Sequence, residues 1–132
     1  METFRVLYVD DEADIREVAA MSLGLDPALD VRTCASGQEA IAEASAWMPE
    51  LILLDVMMPG MDGPETLAQL KAAERTSAIP VVFITARTQA YEIQRFMSLG
   101  AMGVIAKPFD PMELAGQARR YLDGERVERR EA

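Results

Sequence analysis

The chain has 132 residues, 50% of them hydrophobic, a length that buries a core in one domain without disulfides or a structural metal. With 22 Asp and Glu against 13 Lys and Arg the formal charge is −9, which argues against direct binding to nucleic acid or an anionic membrane surface, since both need a basic face. It contains no histidine and one cysteine, which excludes Ser-His and Cys-His nucleophile pairs, imidazole acid–base chemistry, zinc clusters and an internal disulfide.

From the N-terminus, "METFRVLYV" enters strand-like sequence at once, which leaves no room for a signal peptide. No later apolar run approaches the roughly 20 residues of a membrane helix. A cytoplasmic chain without membrane insertion is therefore expected. The first strand covers about residues 4–9, and a helix follows over about 12–24 with Ile15, Val18, Ala19 and Leu23 at helical spacing. "DVRTCA" reads as a weaker second strand, and Cys34 at its end is expected to be a buried, inert thiol. Ser36 with Glu39 matches a capping box, opening a helix with Ile41, Ala44 and Met48 on one face, and Pro49 stops it. Trp47 and Met48 are expected to close that helix onto the sheet.

"LILL" is the third strand, followed by the loop "DVMMPGMDGP". Gly63-Pro64 reads as a cap and first helical position, with Leu67 and Leu70 facing inward. Pro80 opens the fourth strand, "VVFI", and Ile93, Phe96, Met97 and Gly100 give the fourth helix its apolar stripe. "GVIA" is a short fifth strand. Asp110, Pro111 and Glu113 start the last helix, lined by Leu114, Ala118, Tyr121 and Leu122.

Strands one, three and four are almost continuously apolar, as strands covered on both faces are. The pattern predicts an α/β fold, (βα)5, a doubly wound five-stranded parallel sheet with right-handed crossovers. One domain is expected over residues 1–123, and the charge-mixed "GERVERREA" over 124–132 as a frayed tail with no second domain or linker.

Four of these five strands, all but the second, run into residues of one chemical set: Asp10-Asp11, Asp55, Thr85 and Lys107-Pro108. In an open parallel sheet these ends form the ligand-binding edge. Three carboxylates do not share a small space without a cation between them, and oxygen-only ligands point to a hard divalent ion such as Mg²⁺, or Mn²⁺. Lys107 and Thr85 would then face a bound anion. Metal, anion and carboxylate nucleophile together indicate phosphoryl transfer, with the phosphoryl group coming from another molecule because this chain has no histidine to carry one. Taken singly, these residues also fit solvated turns, helix caps and a surface ion pair; their joint occurrence at successive strand ends favours a site.

The run from "YVDDE" through "LLDVMMPGMDG", "ITA" and "KPF" to the last helix resembles the receiver domains of two-component response regulators, over about residues 4–123. The resemblance implies a flavodoxin-like sheet of strand order 2-1-3-4-5 and a phospho-accepting signalling domain rather than an enzyme acting on a separate substrate. It implies that Asp55 accepts the phosphoryl group and that Asp11 ligates Mg²⁺ directly, with Asp10 acting mainly through metal-bound water. Asp55 and the backbone carbonyl of Met57 would complete the metal site. Thr85 would hydrogen-bond the phosphoryl group, Lys107 would contact one of its oxygens, and a cis peptide would precede Pro108.

Donor partners implied are a sensor histidine kinase or a histidine phosphotransfer protein. A downstream protein would read an altered surface of the fourth helix, fifth strand and fifth helix, on a monomer or a phosphorylation-dependent dimer. A receiver cut from a larger DNA-binding response regulator is the alternative within the family.

Three positions qualify the resemblance. Many receivers carry an aromatic switch residue three positions before the lysine, where this chain has Val104, which cannot swing as a ring does. Met57 and Arg87, two past Asp55 and Thr85, flank the path of attacking water and are expected to tune the phosphoryl lifetime. Met58 and Met61 are expected to pack the loop.

Two other classes fit less well. A haloacid-dehalogenase-like phosphatase wants a second aspartate where Met57 stands, and a flavodoxin-like cofactor carrier would not place "DDEAD" where a phosphate must be cradled.

Overall fold

The computed structural model describes residues 2–131, with side chains through residue 124. The tail expected over 124–132 thus lies, beyond its first residue, outside the residues whose side chains are described.

Five βα units follow one another: β1 (Phe4–Val9), α1 (Ala13–Leu23), β2 (Leu29–Cys34), α2 (Gly37–Trp47), β3 (Leu51–Asp55), α3 (Gly63–Ala72), β4 (Val81–Thr85), α4 (Ala90–Ser98), β5 (Gly103–Ala106) and α5 (Leu114–Glu131). The strands form one parallel sheet of order β2-β1-β3-β4-β5, as the resemblance implied. Phe4 lies opposite Leu29, Val6 opposite Leu51, Ile52 opposite Val81 and Val82 opposite Gly103.

Because alternate strand residues point to opposite faces, the sheet divides the interior into two cores. Leu7, Val9, Ile52, Leu54 and Phe83 pack with Ala40 and Ala44 of α2, Leu67 and Leu70 of α3 and Phe96 of α4. Val6, Tyr8, Leu51, Leu53, Val82 and Ile84 pack with Ala19 and Leu23 of α1 and Leu114, Ala118 and Leu122 of α5. Every residue of β3 and β4 is buried, which explains their unbroken apolar runs. Each fully buried leucine there contributes about 1.5–3 kcal/mol relative to exposure.

The helix ends carry the chemistry their residues supply. Ser36 Oγ accepts from Glu39 N–H at 3.1 Å, while Glu39 Oε1 accepts from Ala35 N–H at 3.1 Å, a capping box displaced by one residue on its return arm. Met48, at φ 56°, closes α2 in the left-handed region before Pro49. Trp47 and Met48 pack against the α2-side core as expected.

Three expectations need correction. The cap of α3 is Asp62, whose carboxylate accepts from Glu65 N–H at 2.9 Å, so Gly63 and Pro64 are the first two helical positions. Val18 is 41% exposed, because α1 turns only Ala19, Ser22 and Leu23 fully inward. The stripe on α4 is narrower than the spacing predicts: Phe96 is buried, Met97 is exposed, and Gly100 lies outside the helix. Gly100, at φ +107°, donates to Met97 O and Ala101 donates to Phe96 O, the paired bonds of a Schellman stop.

Candidate functional site

The carboxyl ends of β1, β3, β4 and β5 bring the predicted residues to one edge. Asp10 follows β1, Asp55 ends β3, Thr85 ends β4, and Lys107 follows β5 with its N–H donating to Thr85 O at 2.8 Å. Asp10, Asp55 and Thr85 are almost wholly buried, while Asp11 is exposed at the rim. One carboxylate oxygen from each of Asp10, Asp11 and Asp55 lies within 4.8 Å of the others. Lys107 Nζ reaches into this group, 3.0 Å from Asp10 Oδ2 and 3.4 Å from Asp55 Oδ2.

Local contacts hold Asp10, Thr85 and the end of β3 in place. Asp10 Oδ1 accepts from Glu12 N–H at 3.0 Å, and its backbone carbonyl accepts from Arg16 Nη1 at 2.8 Å, which ties the start of α1 to the strand end. Thr85 Oγ1 accepts from Arg87 N–H at 3.0 Å. The start of α3 presses against Asp55 from behind, with Gly63 N–H donating to Val56 O at 2.9 Å.

Burial and the neighbouring Asp10 charge push the Asp55 carboxyl up to about 6, against the pull of Lys107 and of a hydrogen bond from the Met57 N–H. Burial works against the charge on Lys107, but its hydrogen bond to Asp10 and the two nearby carboxylates raise it above the ordinary lysine value overall. Both acids therefore gain from a further positive charge. The donor set is all oxygen and carries three carboxylates against one ammonium, so it fits a hard divalent cation.

The other predicted positions do not join this group through their side chains. Met57 turns its side chain out, 65% exposed, so that only its backbone lies against Asp55. Arg87 is exposed, and Val104 packs partly buried on the core shared by α2, α3 and α4. The Lys107–Pro108 peptide is cis. Met58 is buried in the core and Met61 is partly buried, as loop packing requires.

Two contacts escaped the sequence reading. Tyr8 donates its hydroxyl to Asp10 Oδ2 at 3.2 Å, and Arg16 grips the Asp10 carbonyl. The signal for Tyr8 was present: residues two apart on a strand share a face, so a tyrosine at 8 stands beside an aspartate at 10.

A family model described as "Response regulator receiver domain" matches residues 6–119. The chain is 34% identical over 118 residues to the DNA-binding response regulator MtrA of Mycobacterium tuberculosis, covering 89% of this chain and 50% of that protein. It is 37% identical over 117 residues to the phosphate regulon transcriptional regulatory protein PhoB of Pseudomonas aeruginosa, covering 89% and 51%. The chain thus spans about half the length of the curated relatives it matches. Among solved structures, the chemotaxis protein CheY4 of Vibrio cholerae superposes with a TM-score of 0.82 at 32% identity, covering 90% of this chain and 98% of that one.

Proposed function

The chain belongs to the response regulator receiver family of two-component systems, and on that premise we propose that Asp55 accepts a phosphoryl group from a partner's phosphohistidine. The observation that carries this reading is the position of Asp55, buried at a strand end within reach of Lys107 and beside two further carboxylates. The donor is a sensor histidine kinase or a histidine phosphotransfer protein, and the setting is cytoplasmic.

An Asp55 oxygen attacks phosphorus as the P–N bond to imidazole breaks; a P–O bond forms, and the released imidazole nitrogen takes up a proton from water. The transition state is loose, so positioning and charge neutralisation supply most of the acceleration. Asp10, Asp11, Asp55 and the Met57 carbonyl would hold Mg²⁺, or Mn²⁺. When bound there, the cation offsets charge on the phosphoryl oxygens. Lys107 shifts from the carboxylates to a phosphoryl oxygen, and Thr85 turns its hydroxyl towards another.

Phosphorylation adds roughly two negative charges at this edge. Movement of Thr85 carries the segment leading into α4, and a downstream protein reads the changed α4–β5–α5 surface on a monomer or a phosphorylation-dependent dimer. With Val104 at the usual aromatic position, that change runs through the backbone after β4 rather than through a swinging ring. Met57 and Arg87 border the approach to Asp55 and set how fast water removes the group. The domain modifies itself rather than turning over a separate substrate, and this acidic chain makes no direct nucleic-acid contact.

The test is intact-mass spectrometry after incubation with acetyl phosphate and Mg²⁺. Wild type is expected to gain a single phosphate that decays with time, and Asp55→Asn to gain none. Undiminished uptake by Asp55→Asn would overturn the assignment. A second reading, a receiver within a longer DNA-binding response regulator, is supported by relatives of that description being about twice as long. The mass of the protein isolated from its native cells distinguishes the two.

A further inference from the structure

Tyr8 takes no part in the chemistry above, yet its hydroxyl lies 3.2 Å from Asp10 Oδ2, the same oxygen that Lys107 approaches at 3.0 Å. Asp10 Oδ1 already accepts from Glu12 N–H. Among the described residues, Tyr8 and Lys107 are thus the two side chains that donate to this buried carboxylate. The ring is itself fully buried, and its edge meets Phe109 at a centroid distance of 6.3 Å and an interplanar angle of 74°. Phe109 closely follows Lys107 in the chain, so one aromatic contact fixes the hydroxyl against the segment that carries the ammonium. Phenylalanine or leucine would fill this core position without a polar atom to satisfy, whereas a buried hydroxyl costs stability unless paired.

The geometry has a direct electrostatic consequence. Asp10 and Asp55 compete for one ammonium, which stands nearer Asp10. A hydroxyl donating to Asp10 Oδ2 meets part of that oxygen's demand and weakens its hold on Lys107.

We propose that Tyr8 is a positioning residue that acts through Asp10, sharing its Oδ2 so that Lys107 is free to serve Asp55 and the phosphoryl group it receives. The inference rests on the receiver-site reading given above. Without the hydroxyl, Asp10 Oδ2 keeps the negative charge that Tyr8 had shared, which attracts Lys107 and, when a cation is bound, that cation as well. Tyr8→Phe, which removes a single oxygen and keeps the ring, therefore separates two quantities. Mg²⁺ affinity rises about three- to tenfold, and the rate of phosphorylation by acetyl phosphate at saturating Mg²⁺ falls about three- to tenfold, the scale of one net hydrogen bond.

The experiment measures Mg²⁺ binding by isothermal titration calorimetry and phosphorylation by intact mass, on wild type and Tyr8→Phe. Thermal unfolding without Mg²⁺ confirms that both are folded. Opposite shifts in the two quantities support the role. Unchanged values overturn it, and so does a parallel loss of both, which is what simple loosening of the core would give. The same substitution in an Asp10→Asn background is expected to move neither quantity, and an equal shift there also overturns the role. A wild type that binds no Mg²⁺ and accepts no phosphoryl group overturns the site reading itself. A competent wild type with an indistinguishable Tyr8→Phe overturns only the part given to Tyr8.

Discussion

Gly63 stands so close to the end of β3 that a β-carbon added there would lie 2.7 Å from the carbonyl oxygen of Asp55 and 2.8 Å from the α-carbon of Val56. Both obstacles are backbone, so neither yields by a rotamer change. The first turn of α3 is thereby a wall behind Asp55. Gly63→Ala is expected to lower stability by about 1–3 kcal/mol and to slow phosphoryl uptake, because either the strand end or the helix must shift. Gly116→Ala serves as the control. Nothing lies within 4 Å of an added β-carbon there, and the substitution is expected to stabilise α5 by about 0.5–1 kcal/mol. Urea unfolding of the two variants checks the contrast, and equal effects would refute it.

Lys107 is the ammonium set between Asp10 and Asp55, and Asp10 has no exposure to water. Lys107→Met leaves these carboxylates facing one another without a cation. The expected loss in Mg²⁺-free buffer near neutral pH is about 3 kcal/mol, as for a buried pair deprived of one partner. Added Mg²⁺ should restore part of it, since a ligand that binds only the folded state stabilises that state. Chemical denaturation with and without Mg²⁺ decides the matter. An unaltered midpoint in Lys107→Met would mean that the carboxylates are relieved in another way.

Much of this arrangement can be read from the chain because the parallel sheet buries both faces. The unbroken runs at 51–54 and 81–84 leave little choice of element, and the polar residues that end them fall at one edge by topology. Helices were less legible, because their burial depends on how they lie across the sheet. Val18 and Met97 have helical spacing yet remain exposed, since α1 and α4 press only a narrow stripe inward. Gly63 and Asp62 show the same limit at a helix start: the motif marks the turn, but the hydrogen bond to Glu65 N–H identifies the cap. The aromatic-to-carboxylate contact of Tyr8 was hidden because an apolar reading of "FRVLYV" treats its ring as core and overlooks its oxygen.

Cys34 sits at the end of β2 with 6% exposure, and burial first, then the charges of Glu43 and Glu39, push its thiol up to about 11. The thiolate is the reactive form, so the folded protein is expected to resist Ellman's reagent at pH 8. Labelling should proceed only as fast as the fold opens, and promptly in concentrated urea. Rapid modification of the native protein would place the thiol in a different environment. Because the chain has no other cysteine, the assay reports this one position without mutagenesis.

Asp55 supplies a pH dependence whose sign follows from its surroundings. Its carboxyl is pushed up to about 6 in the metal-free fold, against 3.8 ordinarily, by burial and by Asp10. Between those values the folded chain keeps a proton that the unfolded chain has released. Asp55 therefore opposes folding least below about pH 4, and stability is lost as pH rises through about 6. At pH 7.5 the loss is about 3 kcal/mol for a gap of about two pH units. Asp55→Asn cannot ionise and escapes it. The variant should match wild type near pH 4 and exceed it by about 2–3 kcal/mol at pH 7.5 without Mg²⁺, with Mg²⁺ then narrowing the gap by stabilising wild type more. Urea titrations across this range measure the difference directly, so acid effects common to both proteins cancel. A difference that stays flat with pH would mean that neither burial nor Asp10 resists the charge on Asp55, and the electrostatic reason for a cation at this site would fall with it.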